Sequence, residues 1–138
     1  MAAALLQHAL KAQPEPLCHY QVVSAGTAAF GGDPASENTQ AVLKRSGLDG
    51  SKHRSRLVSS HLVDQAKWII GMTSSHIAVL QERFPEASDR MLLFREFLSN
   101  QEIPDPFGQD YNVYLECRDA MVEAIPSLIA HFAKTAQD

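Results

Sequence analysis

The sequence predicts an α/β domain built on a parallel sheet, and three observations carry that expectation. Three short apolar runs, Cys18-His19-Tyr20-Gln21-Val22-Val23, Lys67-Trp68-Ile69-Ile70-Gly71-Met72 and Met91-Leu92-Leu93-Phe94, have the length and composition of strands. Helical patterns separate them, in the order helix, strand, helix, helix, strand, helix, strand, helix, and strands joined by helical crossovers lie parallel. The second run is almost continuously apolar, as a parallel strand covered on both faces must be.

Each element has its own warrant. Ala2, Leu5, Leu6, Ala9 and Leu10 make an amphipathic stripe over residues 1–11, with no capping residue ahead of it. Gln13-Pro14-Glu15-Pro16 ends that helix and leads to the first strand. Ser24-Ala25-Gly26-Thr27 reads as a turn, and Phe30-Gly31-Gly32-Asp33-Pro34 opens a helix from about residue 35 to residue 46, closed by Gly47. Ser59-Ser60 caps a short helix over 61–66. Thr73, Ser74 and Ser75 cap another that carries Ile77, Leu80 and Phe84 on one face and stops at Pro85. Asp110 caps the last helix, whose inner stripe is Tyr114, Cys117, Met121, Ile125, Leu128 and Phe132, with a kink or break expected at Pro126.

Bulk properties narrow the function classes. A chain of 138 residues, 45% hydrophobic and 20% charged, suits one soluble domain. Its net charge of −4 argues against a general nucleic-acid binder, and no apolar run is long enough to span a membrane. Two distant cysteines, Cys18 and Cys117, suit a reducing cytoplasm and read as small buried hydrophobes. The six histidines show no tight ligand spacing, so neither a metal nor a cofactor is expected. Between Lys44 and Arg56 lie five cations in thirteen residues, read either as a solvated loop after a helix C-terminus or as a rim that attracts anions.

The stretch with most chemical promise is Ile103-Pro104-Asp105-Pro106-Phe107-Gly108. Two prolines restrict the backbone on either side of one carboxylate, which is what a general acid needs to meet a leaving group at hydrogen-bond distance. Taken alone, such a stretch ahead of a helix is ordinarily a loop and nothing more. Parallel α/β folds, however, place their sites beyond the carboxyl ends of the strands, and this loop follows one of them.

Met1-Ala2-Ala3-Ala4-Leu5-Leu6, Ser24-Ala25-Gly26-Thr27, His53-Arg54-Ser55-Arg56, Gly71-Met72-Thr73 and Asp105-Pro106-Phe107-Gly108 occur in that order. As an ordered set, covering residues 1–132, they resemble the low-molecular-weight protein phosphatases. Asp105-Pro106-Phe107-Gly108 and Met72-Thr73 look closest to the bacterial branch that includes protein arginine phosphatases. The resemblance implies a three-layer fold with a four-stranded parallel sheet flanked by helices. It implies phosphoryl transfer through a cysteine held in a Cys-x5-Arg loop that cradles the phosphate at the start of the first helix. It makes Asp105 the general acid and base, and Phe30 a wall of the substrate cleft. The substrate would be a phosphorylated protein or another phosphomonoester.

The chain departs from that pattern at one place. In the family the Cys-x5-Arg loop stands just before the segment resembling Met1-Ala2-Ala3-Ala4-Leu5-Leu6. Six residues after Cys18 is Ser24, and six after Cys117 is Glu123, so neither cysteine heads the motif. The expectation is a single phosphatase-like domain over 1–138 that lacks its first strand and nucleophile loop, and is poorly stable and inactive alone. Two alternatives stay open: a catalytically dead binding or regulatory form of the fold, and an arsenate reductase, although Cys18 and Cys117 stand 99 residues apart.

Overall fold

The structure, a computed structural model, describes residues 1–28 and 31–136. Its elements in chain order are α1 (Ala2–Lys11), a 3-10 turn (Leu17–His19), α2 (Glu37–Arg45), α3 (Ser60–Gln65), β1 (Ile69–Gly71), α4 (Ser74–Arg83), a second 3-10 turn (Pro85–Arg90), β2 (Met91–Leu93) and α5 (Tyr111–Ala136). β1 and β2 pair in parallel, with Ile69 opposite Met91, Ile70 opposite Leu92 and Gly71 opposite Leu93. The crossover between them is α4, as the sequence order requires.

Alternation along the strands divides the sheet between two layers. Ile70, Met72, Leu92 and Phe94 join the main core, which α1 and α5 complete with Leu5, Leu6, Leu10, Cys117, Met121, Leu128 and Phe132. α4 covers the opposite face. Its close approach depends on Gly71, where a Cβ would stand 2.9 Å from Ile77 Cδ1 and 3.3 Å from His76 Cβ. The caps are those the sequence offers: Ser36, Ser59 and Thr73 each accept from the backbone N–H three residues on, and Asp110 accepts from Val113 N at 3.2 Å.

Two expectations are corrected. The break expected at Pro126, as the alternative to a kink, does not occur, and α5 continues through it as one element of 26 residues. Pro126 is exposed, and the hydrogen bond it forgoes is to the carbonyl of Val122, itself exposed, where water can satisfy it. The stripe on the opposite side, from Tyr114 to Phe132, is buried on both sides of the proline and holds the helix together.

The strand expected over 18–23 does not form. Residues 17–19 make the 3-10 turn, and residues 20–24 follow without a backbone ladder among the described residues. An extended segment needs a neighbour to become a strand, and here a side chain takes that place. The Gln7 amide donates from Nε2 to the Tyr20 carbonyl and accepts from Val22 N, both at 2.8 Å. A residue of a neighbouring parallel strand makes this pair of bonds to the residues flanking its partner. Cys18, expected to be buried, is consequently half-buried, whereas Cys117 is buried as expected.

Candidate active site

Residues 94–110 connect β2 to α5, and their conformation is fixed by more than the two prolines. Ile103 is 2% exposed and donates from its N–H to the Met72 carbonyl at 3.0 Å, which fastens the loop to the carboxyl end of β1. Glu102 accepts from Ser74 Oγ at 2.7 Å and from Ser74 N at 3.1 Å, so a loop carboxylate sits at the N-terminus of α4, where the helix dipole favours it. Arg95, a buried charged side chain, donates from Nε to the Asn100 carbonyl and from Nη1 to Ala120 O at 2.7 Å. It thereby ties the start of the loop to α5. Gly108 turns the chain at φ +81°, a conformation that glycine alone adopts freely.

Asp105 stands at the apex of this fastened loop, exposed, its Oδ1 accepting from Phe107 N at 3.0 Å. Phe107 beside it is 80% exposed. Below, the Cys117 thiol donates to the Pro104 carbonyl at 3.5 Å. Burial, and then the charges of Asp105 and Glu116, push that thiol above its ordinary range. It is held as a neutral thiol, the opposite of what an attacking thiolate requires.

The second feature is cationic. The loop carrying His53, Arg54 and Arg56 runs beside Gly26 and beside residues 32–34: Gly26 N donates to Arg56 O at 2.8 Å and Ser55 N to Asp33 O at 2.7 Å. His53 is pushed below its ordinary value by burial, then by the Met1 amino group, Arg56 and Arg54. Positive charge therefore gathers at the start of α1, whose first turn has no side-chain cap. Free N–H groups, a helix dipole and cations together attract an anion.

Of the residues singled out in the sequence, Asp105 lies at a strand's carboxyl end, as parallel folds arrange their sites. Phe30 falls outside the described residues. Cavities of about 370 Å³, beside Gln7 and residues 18–23, and about 330 Å³, between α4 and β2, both exclude Asp105. No hydrogen bond or ion pair among the described residues joins Asp105 to the cationic loop. Sequence reasoning missed Glu102, Arg95 and Gln7. The first two are charged residues that default to solvent in any pattern, and nothing local marks them as internal ties. Gln7 lies within a helical stripe whose polar partner is 13 residues away in sequence.

The chain matches the family described as "Low molecular weight phosphotyrosine protein phosphatase" over residues 1–138. It is 37% identical over 130 residues to the protein-arginine-phosphatase of Geobacillus stearothermophilus, covering 93% of this chain and 83% of that one. It is 33% identical over 113 residues to the low-molecular-weight protein-tyrosine-phosphatase Wzb of Salmonella typhi, covering 82% and 70% of the two chains. The solved YwlE arginine phosphatase from Geobacillus stearothermophilus superposes with a TM-score of 0.83 at 37% identity, covering 99% of this chain and 84% of that one.

Proposed function

The chain belongs to the low-molecular-weight phosphotyrosine protein phosphatase family, and on that premise we propose that it serves dephosphorylation of protein side chains with Asp105 as the proton carrier. In the chemistry that the resemblance implies, a cysteine thiolate forms a bond to phosphorus while the bond to the leaving oxygen or nitrogen breaks. The leaving atom takes its proton from the Asp105 carboxyl. Water then attacks the phosphocysteine, gives its proton to the Asp105 carboxylate, and releases inorganic phosphate and the thiolate. The observation that carries the assignment is Asp105 itself, exposed on a loop that is tied to β1, α4 and α5. Phosphotyrosine and phosphoarginine both remain substrates of this reading, since relatives bearing both names match. The free cysteines accord with a cytoplasmic setting.

The attacking group is not among these residues, because neither Cys18 nor Cys117 heads a Cys-x5-Arg motif. Cys117 is moreover buried beneath the loop with its thiol pushed up. We therefore propose that the 138-residue chain alone does not turn over substrate. The cationic loop at the start of α1 supports a second reading, in which the chain by itself binds phosphorylated protein without cleaving it.

One set of assays separates these statements. The purified chain is given an aryl phosphate and a phosphoarginine protein, beside a chimera extended at its N-terminus by a strand and a Cys-x5-Arg segment. The bare chain is expected to be silent and the chimera active. Asp105→Asn in the chimera should lower kcat by roughly 10²- to 10⁴-fold, the usual share of a positioned acid. An unchanged kcat would remove Asp105 from the mechanism. Turnover by the bare chain that vanishes on Asp105→Asn would overturn its silence and leave the acid in place.

A further inference from the structure

Away from the Asp105 loop, the corner after α1 gathers three side chains of ligand type. Glu15, Cys18 and His19 bring a carboxylate oxygen, a thiol sulfur and an imidazole nitrogen within 4.8 Å of one another. Spacing between histidines could not reveal this group, because it contains one histidine and its members come from different residue types.

The corner is stiff for local reasons. Pro14 and Pro16 fix their own φ angles on either side of Glu15. Leu17 is 4% exposed and anchors the 3-10 turn in the core. Leu17 N donates to Pro14 O and His19 N to Pro16 O, each at 3.1 Å. Glu15 precedes that turn, and the Cys18 thiol comes within 4.8 Å of its carboxylate. His19 reaches back to Glu15, its Nε2 standing 3.0 Å from Oε1. As an exposed carboxylate–imidazole pair this contact would contribute little. The thiol beside it changes the chemistry of the group.

We propose that Glu15, Cys18 and His19 form a three-ligand site for a Zn²⁺-like transition-metal ion, with a fourth position left open. A tetrahedral zinc ion bonds sulfur at about 2.3 Å, nitrogen and oxygen at about 2.0–2.2 Å, so its ligand atoms stand roughly 3.2–3.8 Å apart. The existing spread closes to that by rotation of side chains that are free to move, Glu15 being 79% and His19 70% exposed. A thiolate and an imidazole disfavour Mg²⁺ and Ca²⁺, which demand oxygen. Cys18 and His19 also line the 370 Å³ cavity beside Gln7, which leaves room for water at the open position. The bound ion cross-links the turn between α1 and the segment that Gln7 holds, so metal stabilises that turn as well as occupying it.

The test is a titration of the whole chain with Co²⁺ and then Zn²⁺, in a reductant that does not bind metal. The site gives one saturable Co²⁺ equivalent with a thiolate-to-metal charge-transfer band, displaced by Zn²⁺, and a Tm that rises with either ion. Cys18→Ser abolishes the band and the Tm rise. His19→Ala weakens binding by more than the roughly 10- to 100-fold that loss of an outer-shell partner costs. Cys117→Ser leaves both readouts unchanged. His19 is largely exposed and both Cys→Ser changes keep the size of the side chain, so circular dichroism of the metal-free variants should match the parent. A band that survives Cys18→Ser, a band that needs Cys117, or binding seen only at millimolar metal each overturns the site.

Discussion

Arg95 makes two kinds of contact, and their sizes differ. Its guanidinium caps the carbonyls of Asn100 and Ala120, and it also lies 3.6 Å from Glu123 Oε2, on a side chain that is 66% exposed. An ion pair with one partner in water contributes about 0–1 kcal/mol. The bonds to the two carbonyls are part-buried and charge-assisted, a class that contributes about 1.5–3 kcal/mol. Arg95→Met is therefore expected to lose about 1.5–3 kcal/mol in urea unfolding, whereas Glu123→Gln stays within about 1 kcal/mol. Equal losses in the two variants would mean that the ion pair, and not the carbonyl caps, holds the loop bearing Asp105.

At the scale of elements, the informative segment is residues 20–24, which is extended and yet unpaired. Gln21, Val23 and Ser24 donate no backbone hydrogen bond among the described residues, whereas Val22 N donates to Gln7 Oε1. Amide hydrogen exchange should therefore find Val22 protected between fast-exchanging neighbours. In Gln7→Ala that protection should disappear while the amides of α5 stay slow. Protection spread evenly over the segment would instead point to a strand partner, such as a second copy of the chain. The helices behave differently because an α-helix satisfies its backbone internally, so α2, α3, α4 and α5 needed only caps and an apolar stripe to form where the sequence places them.

For the whole molecule, the pH dependence of stability reports how charge is distributed. Burial first, and then the cations of the Met1 amino group, Arg56 and Arg54, push the folded pKa of His53 below the ordinary 6.5. The unfolded chain therefore takes up a proton that the folded chain resists. The stability tied to this group is complete above 6.5 and is lost as pH falls from there through the lower folded value. Unfolding midpoints taken about one unit above and one below 6.5 should differ, and His53→Gln should shrink the difference. An anion bound among these cations would raise the His53 pKa and reduce the same slope. A slope unaffected by His53→Gln would place its origin elsewhere.

What the sequence determined by itself was whatever depends on near neighbours along the chain. Apolar periodicity placed α1 and α5 and chose the face each buries, and capping residues set where α3, α4 and α5 begin. Two prolines and Gly108 marked the Asp105 loop as stiff, and strand–helix alternation implied a parallel sheet, which β1 and β2 form. Pairing, burial of charge and convergence of ligands were decided only in three dimensions. Residues 18–23 have the composition of a strand, but a strand exists only beside another, and here the Gln7 amide stands in for one. Arg95 and Glu102 read as surface charges until the fold brought carbonyls and a helix N-terminus to them. Backbone hydrogen bonds within a helix join residues four apart, so local sequence specifies them; ladder bonds and buried polar ties join residues that only the completed fold brings together.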